Sequence, residues 1–464
     1  MFSFPEAAKA LQIHLHRANP LCYGTGAAID SRKVQPGDLF AALEGDRSDG
    51  HQFMDDAFRA GASGAIIRKD FFETNRERLL SDNLYQNLLV GPHPETMLQE
   101  LAAWHRARFP VRVIGITGSV GKTSTKEFLF YLMRSQFPTL ANAGNLNNHL
   151  GVPLTLLQLT SDARYCLVEM GANHRGEIRF LSSMARPDAG IITKVSPAHL
   201  EGFGSIENIY EAKCELMESL PSSGMMVLPF DDKNLLKRAR GLGLKVITVG
   251  ESKEADFAVT GAWLKDGCVW FSINESRTFS FPGVAKFQVG NAACAVATAC
   301  SLGIRLEDLP ERWTGMKFPA GRFEEKVIQG DIRVIFDGYN ASPEAFQKAL
   351  ETFSELEATG RKILIFSDML ELGFASESFH EALAEQIARQ GFDYIGAYGP
   401  YSAGSIRKIQ EMMPSLEAEH FKSSDDLGAA LKNRVRSGDV ILLKASRGMK
   451  IENVLGHLDT SAVV

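Results

Sequence analysis

The sequence predicts an α/β chain of three domains: a small N-terminal α/β domain, a central P-loop domain with a mostly parallel sheet, and a C-terminal Rossmann-like, doubly wound domain. Three observations carry that prediction. An apolar run at residues 111–116 opens into Thr117-Gly118-Ser119-Val120-Gly121-Lys122-Thr123-Ser124, after which Phe128, Leu129, Leu132 and Met133 repeat at helical spacing. Short apolar runs alternate with helical segments through the rest of the chain, the pattern of parallel strands joined by crossover helices. A length of 464 residues corresponds to roughly three units of ~150.

Strand, glycine turn and helix start at 111–124 form the arrangement that cradles phosphate. Backbone N–H groups and the helix dipole face an anion, Lys122 adds a point charge, and the Thr123 hydroxyl is placed to meet a magnesium ion. The longer G-x-x-x-x-G-K-[ST] pattern is not met, because position 116 is Ile; the shorter T-G-x-x-G-K-T remains. The reading is a nucleoside triphosphate site.

Residues 1–90 read as the first domain. A turn at Pro36-Gly37-Asp38 precedes an apolar strand at 39–43, the polar loop Gly45-Asp46-Arg47-Ser48-Asp49-Gly50-His51 follows, and Phe53, Ala57, Phe58 and Ala60 mark a helix before a strand at 64–67. Asp30-Ser31-Arg32 and the polar loop flank one strand, so they read either as solvated connections or as a ligand-facing edge. Residues 91–316 read as the second domain. Met97, Leu98, Leu101, Ala102 and His105 predict a helix over 92–108, and strands are predicted at 166–168, 189–192 and 224–228. Residues 292–304, rich in Ala, Cys and Ser, predict a closely packed internal helix. Residues 317–464 read as the third domain, after the turn-rich Lys317-Phe318-Pro319-Ala320-Gly321-Arg322. It has strands at 334–336, 363–366, 394–397 and 440–443, its clearest helices at 346–356 and 379–389, and no second P-loop.

Composition narrows the function classes. A net charge of −6 offers no basic field for nucleic acid. Six scattered cysteines without a C-x-x-C pair argue against a zinc ribbon or disulfide scaffold and fit a reducing compartment. The N-terminus lacks a signal-peptide pattern, and no run reaches the ~18 apolar residues of a membrane span. The reading is a cytoplasmic monomer that does not insert into membranes.

Three positions beyond the loop bear on its chemistry. Glu169 closes the strand at 166–168, and a carboxylate at the carboxyl end of a strand in a P-loop domain suits magnesium. His199 follows the strand at 189–192, and Lys213 lies on a helix opened by Ser205. From the residues alone, His199 reads as structural and Lys213 as a solvated charge.

The motifs together resemble the Mur ligase family along nearly the whole chain. Thr117 to Thr123 is similar to its P-loop. Gly144-Asn145-Leu146-Asn147-Asn148, Glu169-Met170-Gly171, Ala198-His199-Leu200-Glu201 and Ala212-Lys213 are similar to its central motifs. Asp337-Gly338-Tyr339-Asn340-Ala341-Ser342-Pro343, Asp368-Met369-Leu370-Glu371-Leu372-Gly373 and Lys444-Ala445-Ser446-Arg447-Gly448-Met449 resemble one branch of the family. That branch uses ATP and Mg2+ to add D-alanyl-D-alanine to UDP-N-acetylmuramoyl-tripeptide through an acyl phosphate, in the precursor synthesis that supports the peptidoglycan wall, cell shape and division. Competing readings are another Mur-type ligase, such as muramyl-tripeptide synthetase or folylpolyglutamate synthetase, and a simple P-loop ATPase or regulator.

The resemblance implies roles for the residues. The first domain holds the UDP part of the substrate, with Ser31, Arg32 and Asp49 in that region; the central domain binds ATP; the third receives the dipeptide. ATP is bound by Thr117, Gly118, Ser119, Val120, Gly121, Lys122, Thr123, Ser124, Asn291, Arg322 and Asp337. Magnesium is held by Thr123, Glu169, His199 and Lys213, the last as a carbamate. Lys122, Glu169, His199, Lys213 and Arg322 form the catalytic set, while Asn145, Asn147, Tyr339 and Asn340 join Ser31, Arg32 and Asp49 in binding substrate. Departures from the family pattern are Phe287 and Gln288 ahead of Asn291, Lys194 where Thr-Asn-Ile-Gly is usual, Ser342 where Asn is common, and Ser367 at the start of the Asp368 motif.

Overall fold

The computed structural model describes residues 1–45, 48–328 and 330–458; Asp46 and Arg47 of the predicted polar loop lie outside the described residues. The described residues form three larger sheets and one short ribbon. A five-stranded sheet runs in the order His14–His16, Leu88–Gly91, Gly64–Arg68, Asp38–Ala41, Gly26–Ala28, and only its first pair is antiparallel. The third sheet has six strands in the order Glu324–Ile328, Ile332–Asp337, Val440–Lys444, Lys362–Ser367, Tyr394–Tyr398, Glu417–Phe421, again with one antiparallel edge pair.

The middle sheet has nine strands, and the arrangement of its centre decides where a ligand goes. Arg112–Thr117 lies between Tyr165–Glu169 on one side and Ala189–Ile192 on the other, parallel to both. The chain leaves that strand, fills one side first, and then crosses to the other. Its carboxyl end is therefore a topological switch point, where two crossovers diverge and leave a crevice. These central strands are buried almost throughout, as expected of a parallel sheet covered on both faces.

Beyond Met225–Pro229 and Lys245–Gly250 the sheet continues as Phe257–Lys265, Cys268–Ile273 and Arg277–Pro282, and the last two pair antiparallel. These hairpins go beyond the βα alternation that the sequence suggests. Asp266 and Gly267, both at positive φ, make the two-residue turn that reverses the chain. Val269, Phe271 and Ile273 alternate inward from the second strand.

Two helices set the crevice floor. Lys122–Arg134 packs on Val289–Ser301, whose Ala292, Ala293, Ala295, Ala297 and Ala299 are buried and allow a close approach. Phe128, fully buried, anchors the first helix among Phe281, Trp313 and Phe318 at centroid distances of 5.0, 5.1 and 5.3 Å. On the far face, the Pro94–Ala107 helix is tied down by the buried Arg106. Its guanidinium donates to the carbonyls of Ala185, Phe109, Val111 and Arg186. No helix among the described residues is long and apolar enough to cross a membrane.

Candidate active site

The turn at the switch point needs glycine at two places. Gly118 has φ +142° and Gly121 φ +86°. A Cβ on Gly118 would lie 2.1 Å from Thr193 Oγ1, and one on Gly121 2.3 Å from Asn291 Oδ1. The loop is shaped by the segment after Ala189–Ile192. The Ser119 N–H donates to the Lys194 carbonyl at 2.6 Å, the Ser119 hydroxyl donates to the Ser196 carbonyl at 2.8 Å, and the Thr193 hydroxyl donates to the Val120 carbonyl at 2.6 Å. The Lys122 ammonium folds onto its own loop, donating to the Gly118 and Ser119 carbonyls at 2.7 and 3.1 Å. Burial, with Arg322 adding and Glu169 opposing, brings its pKa down to about 8.

Next to the loop stands Glu169, 1% exposed. Its Oε1 accepts from the Thr123 hydroxyl at 3.1 Å and from Asn147 Nδ2 at 2.7 Å, while its Oε2 is buried without a partner. A buried carboxylate oxygen left in this state is costly unless a donor or a cation meets it. Asn142 fixes the strand end behind it, accepting from the Glu169 N–H at 2.9 Å and donating to the Glu169 carbonyl at 3.2 Å. Nothing in its sequence context marks Asn142 for that task.

His199 starts the short Leu200–Phe203 helix with φ +53°, and its ring pairs with the Glu371 carboxylate of the third sheet's unit. The Glu201 N–H also donates to the Glu371 carbonyl, at 3.1 Å. Lys213 differs from the solvated charge that its residues alone suggest. It is 2% exposed, its ammonium lies 5.2 Å from the centre of the Phe203 ring, and it has no carboxylate in ion-pair range among the described residues. Burial and the charge of Lys122 bring its pKa down to about 7, against the pull of Glu177 and Glu215.

The facing wall comes from the third unit. An Arg322 Nη2 donates to the Thr123 hydroxyl at 2.8 Å, and its guanidinium lies 4.1 Å from the centre of the Tyr339 ring. Asp337 accepts from the Phe323 N–H at 3.1 Å and from the Lys444 ammonium at 2.6 Å. Lys444 is missing from the predicted site residues; its signal is a lysine that closes the apolar run of a fully buried strand. Behind the loop, Asn291 Nδ2 donates to Gln288 Oε1 at 2.6 Å. That bond gives the departing Gln288 a structural partner, and Phe287 lies at the cavity wall.

These groups line one cavity of 1180 Å³. Ser119, Val120, Gly121, Lys122, Thr123, Ser124, Asn145, Asn147, Glu169, His199, Asn291, Arg322, Asp337, Tyr339 and Asn340 all contribute to it. Thr117, Gly118 and Lys213 do not line it, nor do Ser31, Arg32 and Asp49. Arg32 is turned onto its own neighbour Asp30 at 2.8 Å, and Asp49 onto the His51 ring at 2.5 Å. Among the described residues no three His, Cys, Asp or Glu side chains converge. Of the four residues expected to hold magnesium, Thr123, Glu169 and His199 line the cavity and Lys213 does not, and Glu169 Oε2 is a buried acceptor without a partner.

Known proteins share this arrangement from end to end. Family models match at residues 25–106 (Mur ligase family, catalytic domain), 116–299 (Mur ligase middle domain) and 321–447 (Mur ligase, glutamate ligase domain). The UDP-N-acetylmuramoyl-tripeptide–D-alanyl-D-alanine ligase of Bacillus subtilis (strain 168) is 34% identical over 93% of this chain and 93% of its own. The chain belongs to the Mur ligase family. The enzyme of the same name from Escherichia coli (strain K12) is 33% identical over 92% of each chain. Among solved Mur ligases, MurF from Acinetobacter baumannii superposes with a TM-score of 0.83 at 27% identity, covering 98% of both chains. MurF from Thermotoga maritima in complex with ADP gives 0.76 at 29% identity, covering 93% of this chain and 97% of that one. The three-domain α/β architecture read from the sequence is thus that of a Mur ligase.

Proposed function

We propose that this Mur ligase joins D-alanyl-D-alanine to UDP-N-acetylmuramoyl-tripeptide, driven by ATP, in the cytoplasmic synthesis of peptidoglycan precursor. One observation carries the site-level reading. Glu169 Oε2 is buried and unpartnered beside the phosphate loop, in a cavity whose opposite wall is Arg322, Tyr339 and Asn340. Residues 1–90 are the proposed UDP-muramyl domain, 91–316 the ATP domain and 317–464 the domain that receives the dipeptide. A monomer is the proposed working unit.

An amide does not form from a carboxylate in water without activation. In the proposed reaction an oxygen of the tripeptide's terminal carboxylate attacks the γ-phosphorus of ATP and ADP leaves, giving an acyl phosphate. The dipeptide's amine nitrogen then attacks the acyl carbon, its proton is lost, and phosphate departs as the amide forms. The chain's part is positioning and charge complementarity rather than covalent catalysis. Lys122 turns from its loop carbonyls to the phosphates, and the loop N–H groups take the remaining oxygens. Arg322 faces the same point from the third domain, and closure of that domain keeps water from the acyl phosphate. Thr123, Glu169 and His199, with Lys213 if carbamylated, would hold Mg2+, which when bound would supply neutralising charge to the triphosphate.

Phosphate release tests this reading. Release that requires both the muramyl tripeptide and D-alanyl-D-alanine is expected; release from ATP alone would mark a simple ATPase. Parallel runs with diaminopimelate or lysine as the third peptide residue identify the natural acyl donor.

A further inference from the structure

The third domain meets the second across the cavity through two ion pairs, Lys194 with Glu344 and Lys286 with Glu355, and through the hydrogen bond between His199 and Glu371. The first pair is distinct in what each partner is attached to. The Lys194 carbonyl takes the Ser119 N–H of the phosphate loop at 2.6 Å, so its backbone is part of the loop's own support. Glu344 stands in the first turn of the Pro343–Ser354 helix, where the helix dipole favours a carboxylate. That helix begins three residues after Asn340, and the Ser342 hydroxyl caps it. The Glu344 side chain is 16% exposed, and its second oxygen is buried without a partner. Lys194 also weighs on Glu351, two turns along the same helix. One lysine therefore connects the phosphate loop to the acidic face of the helix that follows Tyr339 and Asn340.

We infer that Lys194 and Glu344 are positioning residues that seat the third domain on the phosphate loop. The pair fixes the spacing between Ser119 and the segment carrying Tyr339 and Asn340, so the dipeptide's half of the site is in register with the loop before substrates arrive. Neither side chain handles reacting atoms. Their effect passes through the helix on one side and the loop on the other. An Asn at this position would have no charge to offer Glu344. Exposed ion pairs are individually weak. This one acts on the relative placement of two preformed bodies, where a small bias changes the docked population severalfold.

Small-angle scattering of the full-length, ligand-free chain at low and at molar salt tests the seating directly. Lys194→Asn and Glu344→Gln are each expected to expand the low-salt chain toward the dimensions that the native chain shows at molar salt. The double variant is expected to expand no further than either single one, and Lys194→Arg to stay compact. Unchanged dimensions in both single variants overturn the inference, as do expansions that add in the double variant. The kinetic arm rests on the ligase reading above: the dipeptide KM is expected to rise about three- to five-fold in each single variant, with kcat held, and to recover in Lys194→Arg. A fall in kcat with unchanged KM overturns the positioning role. Failure of the native chain to use the two peptides removes the ligase reading and leaves the scattering comparison to decide the seating.

Discussion

At the scale of single residues, Lys122 and Lys213 invite opposite expectations from the same side chain. Lys122 lies in a glycine turn at a strand end and is legible as a phosphate ligand. Lys122→Ala is expected to lower turnover by at least about 10²–10³-fold in a phosphate-release assay, because nothing else in the loop carries a full charge. Lys213 looks like any helical lysine until its stripe is considered: Ile209, Ala212 and Leu216 are buried on the same face, and Lys213 is buried with them. A charge at a stripe position was the available signal, but its meaning needed the fold. With its pKa at about 7, a large share of Lys213 is neutral at neutral pH. The neutral amine is the form that adds CO2, losing a proton to become a carbamate. Lys213→Ala is expected to lose most activity and to regain part of it with added short carboxylic acids; absence of any recovery counts against the carbamate. Asn142, Lys444 and Glu371 were not among the predicted site residues, because their roles depend on partners far away in sequence.

At the scale of elements, regular helices were legible and hairpins were not. The predicted helix over 92–108 corresponds to Pro94–Ala107, with proline at its first turn and Met97, Leu98, Leu101 and Ala102 buried. His105 shares that face, and its ring lies 5.6 Å from Phe2 and 4.9 Å from Phe109. Its Nε2–H donates to the Leu159 carbonyl at 3.0 Å, which leaves Nδ1 buried without a partner. Burial holds its pKa down at about 4. The unfolded chain therefore binds one more proton than the folded chain between pH ~6.5 and ~4. Stability is retained above that window and falls as pH is lowered through it, by up to about 3 kcal/mol from this group. Denaturant titrations are expected to show a smaller loss between those pH values in His105→Gln, which can keep a donor near Leu159 without a titrating ring. The hairpins at 257–282 are not evident from βα alternation: the first reverses at Asp266-Gly267, and the second at Asn274-Glu275-Ser276, which has no Gly or Pro to mark it.

For the whole molecule, part of the parallel core of each sheet was legible from its apolar runs, while several edge strands and the contact between domains were not. Arg322 and Thr123 are 199 residues apart, and no periodicity links such a pair. Arg322→Ala is expected to lower the single-turnover rate about 10²-fold, because it removes a cation facing the phosphate loop. Arg322→Lys should recover little, since an ammonium cannot lie flat on Tyr339 while donating to Thr123. Circular dichroism of both variants is expected to match that of the native chain. A loss of fold in either would mean that Arg322 acts through structure.

The supports of the phosphate loop also set a schedule for making the protein. Ser119 depends on Ser196, 77 positions later in the chain. At about 5–20 residues per second, a ribosome takes roughly 4–15 s to deliver that second half. Until then the nascent loop lacks the segment that bends it, and its central strand lacks a neighbour on that side. The loop therefore gains this support only after translation has passed Ser196, whatever the ATP concentration around the ribosome.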